Sequence, residues 1–130
     1  MSELSEYYAS LTAAVSGRDL ARIQELIDPS FVVHYDTSLP FGGEYHGAAG
    51  LFEVLGKLLG SVSDLKTEQL NYMEDDNGEQ YTLIIEFTAR LTGSDLPVST
   101  QVAEVWTVRD GRAVEARIWY WGAAPLFAAA

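Results

Sequence analysis

The sequence predicts an α+β domain, in which helices pack against an antiparallel sheet around an apolar pocket. Apolar residues recur every three or four positions in the first half of the chain, which is the spacing of a helix face. After Leu65 they alternate with polar residues, as in half-buried strands. The strand-like segments are separated by Asp76-Asn77-Gly78, Gly93-Ser94-Asp95 and Asp110-Gly111, which are typical of hairpin turns. Helices followed by an antiparallel meander make an α+β arrangement.

Three helices are predicted. The first has an apolar face formed by Leu4, Tyr7, Tyr8, Leu11 and Val15. Asp19 is predicted to cap a second helix, which Asp28-Pro29 ends. The third begins after Gly47 and ends near Gly60, with an apolar face of Leu51, Phe52, Leu55, Leu58 and Leu59.

A short apolar and β-branched segment predicts a strand at residues 31–35. The glycines and proline of residues 38–43 predict a loop after it. Later strands are predicted around residues 81–89, 98–108 and 113–121.

Length, charge and cysteine content exclude several classes of protein. A chain of 130 residues predicts one domain over residues 1–130. Its net charge of −11 disfavours nucleic acid and anionic membranes as partners. Because there is no cysteine, disulfides, thiolate zinc sites and a cysteine nucleophile are impossible. No secretory signal and no membrane span of ~20 apolar residues is expected, so the predicted location is the cytoplasm.

Four segments, in order along the chain, carry a resemblance to a known family. They are Gly17-Arg18-Asp19-Leu20, Pro40-Phe41-Gly42-Gly43-Glu44-Tyr45-His46-Gly47, Glu104-Val105-Trp106-Thr107-Val108-Arg109-Asp110-Gly111-Arg112 and Trp119-Tyr120-Trp121-Gly122-Ala123-Ala124-Pro125-Leu126. With these segments the chain resembles the nuclear transport factor two-like superfamily, in particular its SnoaL-like branch, over nearly its whole length. The resemblance implies a cone, in which a strongly curved antiparallel sheet wraps three helices and leaves a blind apolar cavity at the wide end. The superfamily includes ketosteroid isomerases, polyketide cyclases, dehydratases, epoxide hydrolases and proteins without chemistry, so the fold does not settle the function.

The resemblance allows the catalytic residues of ketosteroid isomerases to be compared with this sequence. Ketosteroid isomerases use an aspartate base and an oxyanion hole of a tyrosine and a protonated aspartate. An alignment without gaps places the tyrosine donor at Leu11, the base at Tyr35 and the protonated acid at Glu104. Asp36 is one residue from the base position, and on a strand one residue changes the face. Only Glu104 keeps a suitable group, so steroid isomerisation by that arrangement is rejected.

Glu104 is the first candidate for catalysis. It lies on a predicted strand, with Val102 and Trp106 on the same face. On an apolar wall, loss of hydration would raise the pKa of its carboxyl group and suit it to general acid or base catalysis. The alternative is that Glu104 faces solvent or pairs with Arg117.

His34 and Asp36 are candidates to assist Glu104. Both histidines have a carboxylate two residues away, His34 with Asp36 and His46 with Glu44. Such sets can relay protons or bind a metal ion, but this spacing matches no metal motif, so neither metal nor cofactor is expected. The alternative is that His34 faces the helices or solvent.

Aromatic residues are the candidates for ligand binding, by burial and stacking on a small apolar or aromatic molecule. The set comprises Tyr35, Phe52, Tyr81, Phe87, Trp106 and Tyr120. The alternative is that they only fill the core. Trp119 and Trp121 fall on the opposite face of the last strand, where large apolar side chains indicate a partner surface. Members of the resembled family commonly dimerise through that face, so the resemblance implies a homodimer.

Three functions therefore remain. The first is a cofactor-free isomerase, cyclase or dehydratase that works by proton transfer in an apolar pocket. The second is a non-catalytic domain that binds a small molecule, and the third is a homodimerisation module. Gly122 stands where many SnoaL-like chains have an aspartate after the tryptophan, which weakens the case for an enzyme.

Overall fold

The structure is a computed structural model that describes residues 2–122. Its helices are α1 (Glu3–Ser16), α2 (Leu20–Leu26) and α3 (Gly47–Ser61). Its strands are β1 (Ile27–Tyr35), β2 (Gly43–His46), β3 (Val62–Glu74), β4 (Gln80–Leu91), β5 (Pro97–Arg109) and β6 (Arg112–Tyr120). Outside the described residues lie residue 1 and residues 123–130 of the predicted domain. The second range includes residues 123–126 of the closing motif.

The six strands form one open, curved sheet in the order β2-β1-β6-β5-β4-β3, with the three helices packed on it. This confirms the predicted α+β class. The sheet is mixed rather than wholly antiparallel, because β1 pairs with β6 in parallel while the other neighbours are antiparallel. A parallel pair needs a long connection, and here everything from β2 to β5 lies between the two strands.

Local sequence explains where the helices and the last hairpin begin and end. The Ser2 hydroxyl accepts a hydrogen bond from the Ser5 amide at 3.0 Å and caps α1. The Asp19 carboxylate does the same for α2, from the Arg22 amide at 3.1 Å, as predicted. Asp110 and Gly111 have φ angles of 53° and 75°, which a two-residue hairpin turn with the twist of the strands requires.

Two segments differ from the sequence prediction. Strand β1 begins at Ile27 rather than at residue 31 and contains Pro29, next to a shift of register between Ile27 and Val32. Irregular positions of this kind tolerate proline, which cannot donate a ladder hydrogen bond. Strand β2 joins Gly43, the last residue of the predicted loop, to residues 44–46, for which no element was predicted; its Tyr45 pairs with Val33 of β1. A four-residue strand with two glycine-rich neighbours gives too short a pattern to be recognised.

The helix-facing side of the sheet carries the core. Strand register places Tyr35, Ile118, Glu104 and Leu83 side by side across β1, β6, β5 and β4. Residues directly opposite one another in neighbouring strands face the same side, so this row crosses the inner face. None of the helices within residues 2–122 is both long and apolar enough to cross a membrane.

Candidate functional site

A cavity of about 260 Å³ lies between the inner face of the sheet and helices α1 and α3. Its volume falls just below the usual range of about 300–1,000 Å³ for small-molecule pockets. Its lining comprises Tyr8, Leu11, Thr12, Val15, Ser16, Tyr35, Leu51, Leu55, Leu58, Leu65, Thr67, Tyr81, Leu83, Ile85, Phe87, Val102, Glu104, Trp106, Ile118 and Tyr120. Thr12, Ser16 and Thr67 are exposed and mark its mouth, between α1 and β3.

Glu104 lines the cavity from the middle of β5. The indole Nε1 of Trp106 donates a hydrogen bond to Glu104 Oε1 at 2.8 Å. The other carboxyl oxygen, Oε2, has no hydrogen bond from the described residues. Burial raises the pKa of Glu104 above its ordinary value, and the indole hydrogen bond opposes that rise only in part. Arg117 does not pair with Glu104: it lies opposite Val105 on the other face of the sheet, where its guanidinium contacts Glu115 at 3.3 Å.

Trp106 is itself held between two aromatic rings. Its ring stacks on Phe31, with ring centres 5.8 Å apart, and lies nearly parallel to Tyr81, with ring centres 6.2 Å apart. Packing on both sides restricts the indole, which in turn fixes the orientation of the Glu104 carboxyl group.

The hydroxyl groups of Tyr35 and Tyr120 lie 2.5 Å apart on the same wall. Burial raises the pKa of both phenols, and the charge of Glu104 raises each pKa further. Both tyrosines therefore stay protonated near neutral pH. Because one phenol proton lies in the hydrogen bond between the two oxygens, the pair has one further hydroxyl proton, which a phenol can donate to an oxygen acceptor.

Tyr81 has a buried hydroxyl group without a hydrogen-bond partner among the described residues. The side chain is 1% exposed, and burial raises its pKa, with smaller contributions from charges that include Glu104. Leaving such a group unsatisfied costs about 1–3 kcal/mol. The alternation of β4 predicted that Tyr81 faces inward, but the missing partner depends on side chains of other elements and could not be predicted.

Six of the nine predicted site residues come together at this cavity: Tyr35, Tyr81, Phe87, Glu104, Trp106 and Tyr120. Phe52 does not line it, although its side chain is partly buried against the core. On α3 the lining positions are Leu51, Leu55 and Leu58, which share a helix face that Phe52 only borders.

His34 on β1 and Asp36, which directly follows β1, do not line the cavity, so the structure gives no support to their predicted assistance to Glu104. The ring of His34 lies between Glu115 Oε2, 3.3 Å from Nε2, and Glu44 Oε1, 3.6 Å from Nδ1. Asp36 accepts hydrogen bonds from the backbone amides of Tyr120 and Ser38, each at 2.9 Å. Alternation along the strand explains both positions, because Tyr35 between them faces the cavity.

The residues at the mouth of the cavity were not predicted from the sequence. Tyr8 was predicted on the apolar face of α1, where it donates a hydrogen bond to Gln69 of β3 at 2.7 Å. Thr12 and Ser16 follow at helical spacing, but nothing in their residue type indicates a pocket. Within residues 2–122, no three histidine, aspartate or glutamate side chains are grouped so that they could hold a metal ion.

The outer face of the sheet carries two exposed tryptophans. Trp119 is 47% exposed and lies opposite Ala103 of β5, and Trp121 is 79% exposed. Trp119 falls on the face that the alternation of the last strand predicted, and Trp121, directly after β6, lines the same surface depression as Trp119.

The chain matches one family model and is similar in structure to solved proteins. The family model for the SnoaL-like domain matches residues 6–116. A solved NTF2-like protein from Burkholderia thailandensis is 18% identical, with a TM-score of 0.80 over 95% of this chain and 93% of its own. A candidate SnoaL-like polyketide cyclase from Jannaschia sp. CCS1 is 16% identical, with a TM-score of 0.78 over 95% and 89%.

A third similar structure is that of IdmH, a candidate polyketide cyclase from Streptomyces antibioticus. It is 22% identical, with a TM-score of 0.72 over 94% of both chains. At such identities the structures establish a shared fold and no more. No curated protein sequence matches the chain significantly.

Proposed function

The chain belongs to the SnoaL-like domain family, and from that premise we propose that it is a cofactor-free enzyme that moves a proton on a small, mostly apolar carbonyl compound. One observation carries the proposal. The carboxyl group of Glu104, oriented by Trp106 at 2.8 Å, faces an apolar cavity, and its second oxygen accepts no hydrogen bond from residues 2–122. A raised pKa brings such a group closer to neutral pH, where general acid and base catalysis is most effective.

The proposed reaction begins with Glu104 in its ionised form. Its carboxylate takes the proton from a carbon next to the substrate carbonyl, and the electron pair of the broken C–H bond moves to the carbonyl oxygen. The enolate oxygen accepts a hydrogen bond from the Tyr35 and Tyr120 pair, whose hydroxyl groups lie in the same wall. Donors already in position stabilise this charge as it develops.

The fate of the proton then distinguishes the members of the class. Its return from Glu104 to a different carbon gives an isomerase. Attack of the enolate carbon on a second carbonyl gives a cyclase, with the proton passing to the new alkoxide. Loss of a β-hydroxyl group, protonated by Glu104 as it leaves as water, gives a dehydratase. The family and the fold of the candidate polyketide cyclases support this reaction class.

A non-catalytic binding protein is the second candidate. The observation in its favour is that the lining formed by the described residues is mostly apolar and contains a single acid. On this alternative Glu104 only binds the ligand, and no bond to hydrogen is broken.

Hydrogen exchange at carbon tests the proposal without knowledge of the natural substrate. The protein is incubated in D₂O with indanone, tetralone and acetylnaphthalene, and deuterium uptake next to the carbonyl is followed by NMR. We expect catalysed uptake by the wild type and a loss of about 10²–10⁴-fold in Glu104→Gln, the range of general acid–base catalysis. The glutamine side chain still accepts the Trp106 hydrogen bond.

Glu86→Gln is the matched control, because Glu86 is exposed on β4 and does not line the cavity. Uptake should be unchanged in this variant. Equal uptake by the wild type and Glu104→Gln would remove Glu104 from the mechanism. Ligand-dependent thermal stabilisation without uptake of deuterium would favour the binding protein.

A further inference from the structure

Resting on the proposed function, we propose that the cavity selects its ligand by charge: it takes uncharged molecules that carry a hydrogen-bond acceptor and rejects carboxylates and phosphates of the same size. This selection follows from the side chains that line the cavity and its mouth.

The described lining of the cavity offers no positive charge to an anionic ligand. The described lining residues include one acid and no lysine, arginine or histidine. Residues 123–130, of which the structure says nothing, add no basic side chain by sequence. A buried carboxylate or phosphate that enters this space loses its hydration without gaining a cation, and burial of an unpaired charge is strongly unfavourable.

The hydrogen-bonding groups of the wall make the same selection. The Tyr35 and Tyr120 pair stays protonated, and the hydroxyl proton that does not join the two oxygens suits a neutral carbonyl oxygen as its acceptor. Glu104 donates through Oε2 when it is protonated and repels an anion when it is ionised. An uncharged acceptor is therefore accommodated with Glu104 in either state, whereas an anion is accommodated poorly in both.

The mouth offers no compensation. Its exposed residues, Thr12, Ser16 and Thr67, are uncharged. Lys66 lies between the lining residues Leu65 and Thr67, so strand alternation directs its side chain away from the cavity. The chain as a whole carries a net charge of −11, which lowers the local concentration of anions.

Acetylnaphthalene and naphthoate test the inference, because they share a ring system and differ in charge. Their affinities are measured by isothermal titration at about pH 8, where naphthoate is fully ionised. We expect the ketone to bind at least about tenfold more tightly than the carboxylate, a ratio that corresponds to 1.4 kcal/mol.

A cation at the mouth should reverse part of this preference. Thr12→Lys places an ammonium group beside the cavity on an exposed helix position, and should raise the affinity for naphthoate without a similar gain for the ketone. Thr12→Gln, of comparable length and no charge, is the control and should leave the ratio as in the wild type.

The outcomes separate this inference from the function on which it rests. Equal affinity for the two ligands, or a gain for naphthoate that Thr12→Gln reproduces, would overturn charge selection while leaving Glu104-dependent exchange intact. Failure of both ligands to bind, together with no deuterium uptake, would overturn the proposed function and this inference with it.

Discussion

Glu104 and Glu86 are both glutamates of the sheet, but their side chains have different surroundings. Glu104 and Glu86 lie on neighbouring antiparallel strands, but Glu104 faces the cavity and Glu86 is exposed on the other side. Loss of hydration raises the pKa of Glu104 from its ordinary value of 4.5. The side chains that face it from other elements include four tyrosines, Tyr8, Tyr35, Tyr81 and Tyr120, all kept neutral by raised pKa values.

This shift predicts that Glu104 makes the folded protein less stable as the pH rises. The group is protonated in both folded and unfolded chains below its ordinary pKa, so its favourable contribution is fully present there. As the pH rises through the higher pKa of the folded state, the contribution is lost. Glu104→Gln stays neutral, so its stability relative to the wild type should increase with pH, by roughly 1.4 kcal/mol for each pH unit between the two pKa values.

Urea denaturation of both proteins, from about pH 4 to about pH 8, measures this difference. Glu86→Gln controls for the loss of a glutamate as such, and its difference from the wild type should change little over the range. Parallel stability curves for the wild type and Glu104→Gln would show that the carboxyl group is hydrated in the folded state.

Two glycines of helix α3, Gly50 and Gly56, differ in what surrounds them. A Cβ atom at Gly50 would lie 2.8 Å from the backbone carbonyl carbon of Tyr45, at the place where α3 crosses β2. A Cβ atom at Gly56 would meet no atom within 4 Å. Gly50 therefore permits close packing of the helix, whereas Gly56 only weakens it.

Alanine at the two positions should change stability in opposite directions. Gly56→Ala should add about 1 kcal/mol, the difference in helix propensity between alanine and glycine. Gly50→Ala should cost about 1–3 kcal/mol, because the backbone of Tyr45 has to move. Urea denaturation measures both, and each variant is the control for the other. Changes of the same sign would mean that helix propensity, rather than the contact with Tyr45, decides the result.

The exposed tryptophans of the outer face concern how whole molecules associate. Trp119 and Trp121 place large apolar side chains in water on one face of the domain, on the side opposite the cavity. Exposed apolar surfaces of this kind indicate a binding interface, and a two-fold homodimer is the commonest way in which a soluble protein covers one. We propose that two copies of the chain associate through this face.

Sedimentation analysis should then find a dimer for the wild type and a monomer for Trp119→Glu or Trp121→Glu. A buried glutamate without a partner is expensive at an apolar interface. Leu20→Glu is the control, since Leu20 is also exposed, at 43%, but lies at the start of α2 on the helix side. A monomeric wild type, or variants that remain dimeric, would contradict the assignment of this face.

Features that depend on periodicity along one segment could be predicted from the sequence. Helical spacing located α1 and α3, and the alternation around Glu104 and Tyr81 placed both side chains on the inner face. The turn residues Asp110 and Gly111 located the last hairpin. These features follow from neighbouring residues alone, since the period of a strand or helix and the conformations open to a turn are local properties.

Contacts between distant segments could be seen only in the tertiary structure. The parallel pairing of β1 with β6, the stacking of Trp106 between Phe31 and Tyr81, and the unpartnered hydroxyl of Tyr81 all join residues far apart in the chain. The same is true of His34, which interacts with Glu44 and Glu115 rather than with Glu104. Contacts of this kind depend on strand register and on the packing of several elements at once, and no local pattern in the sequence encodes them.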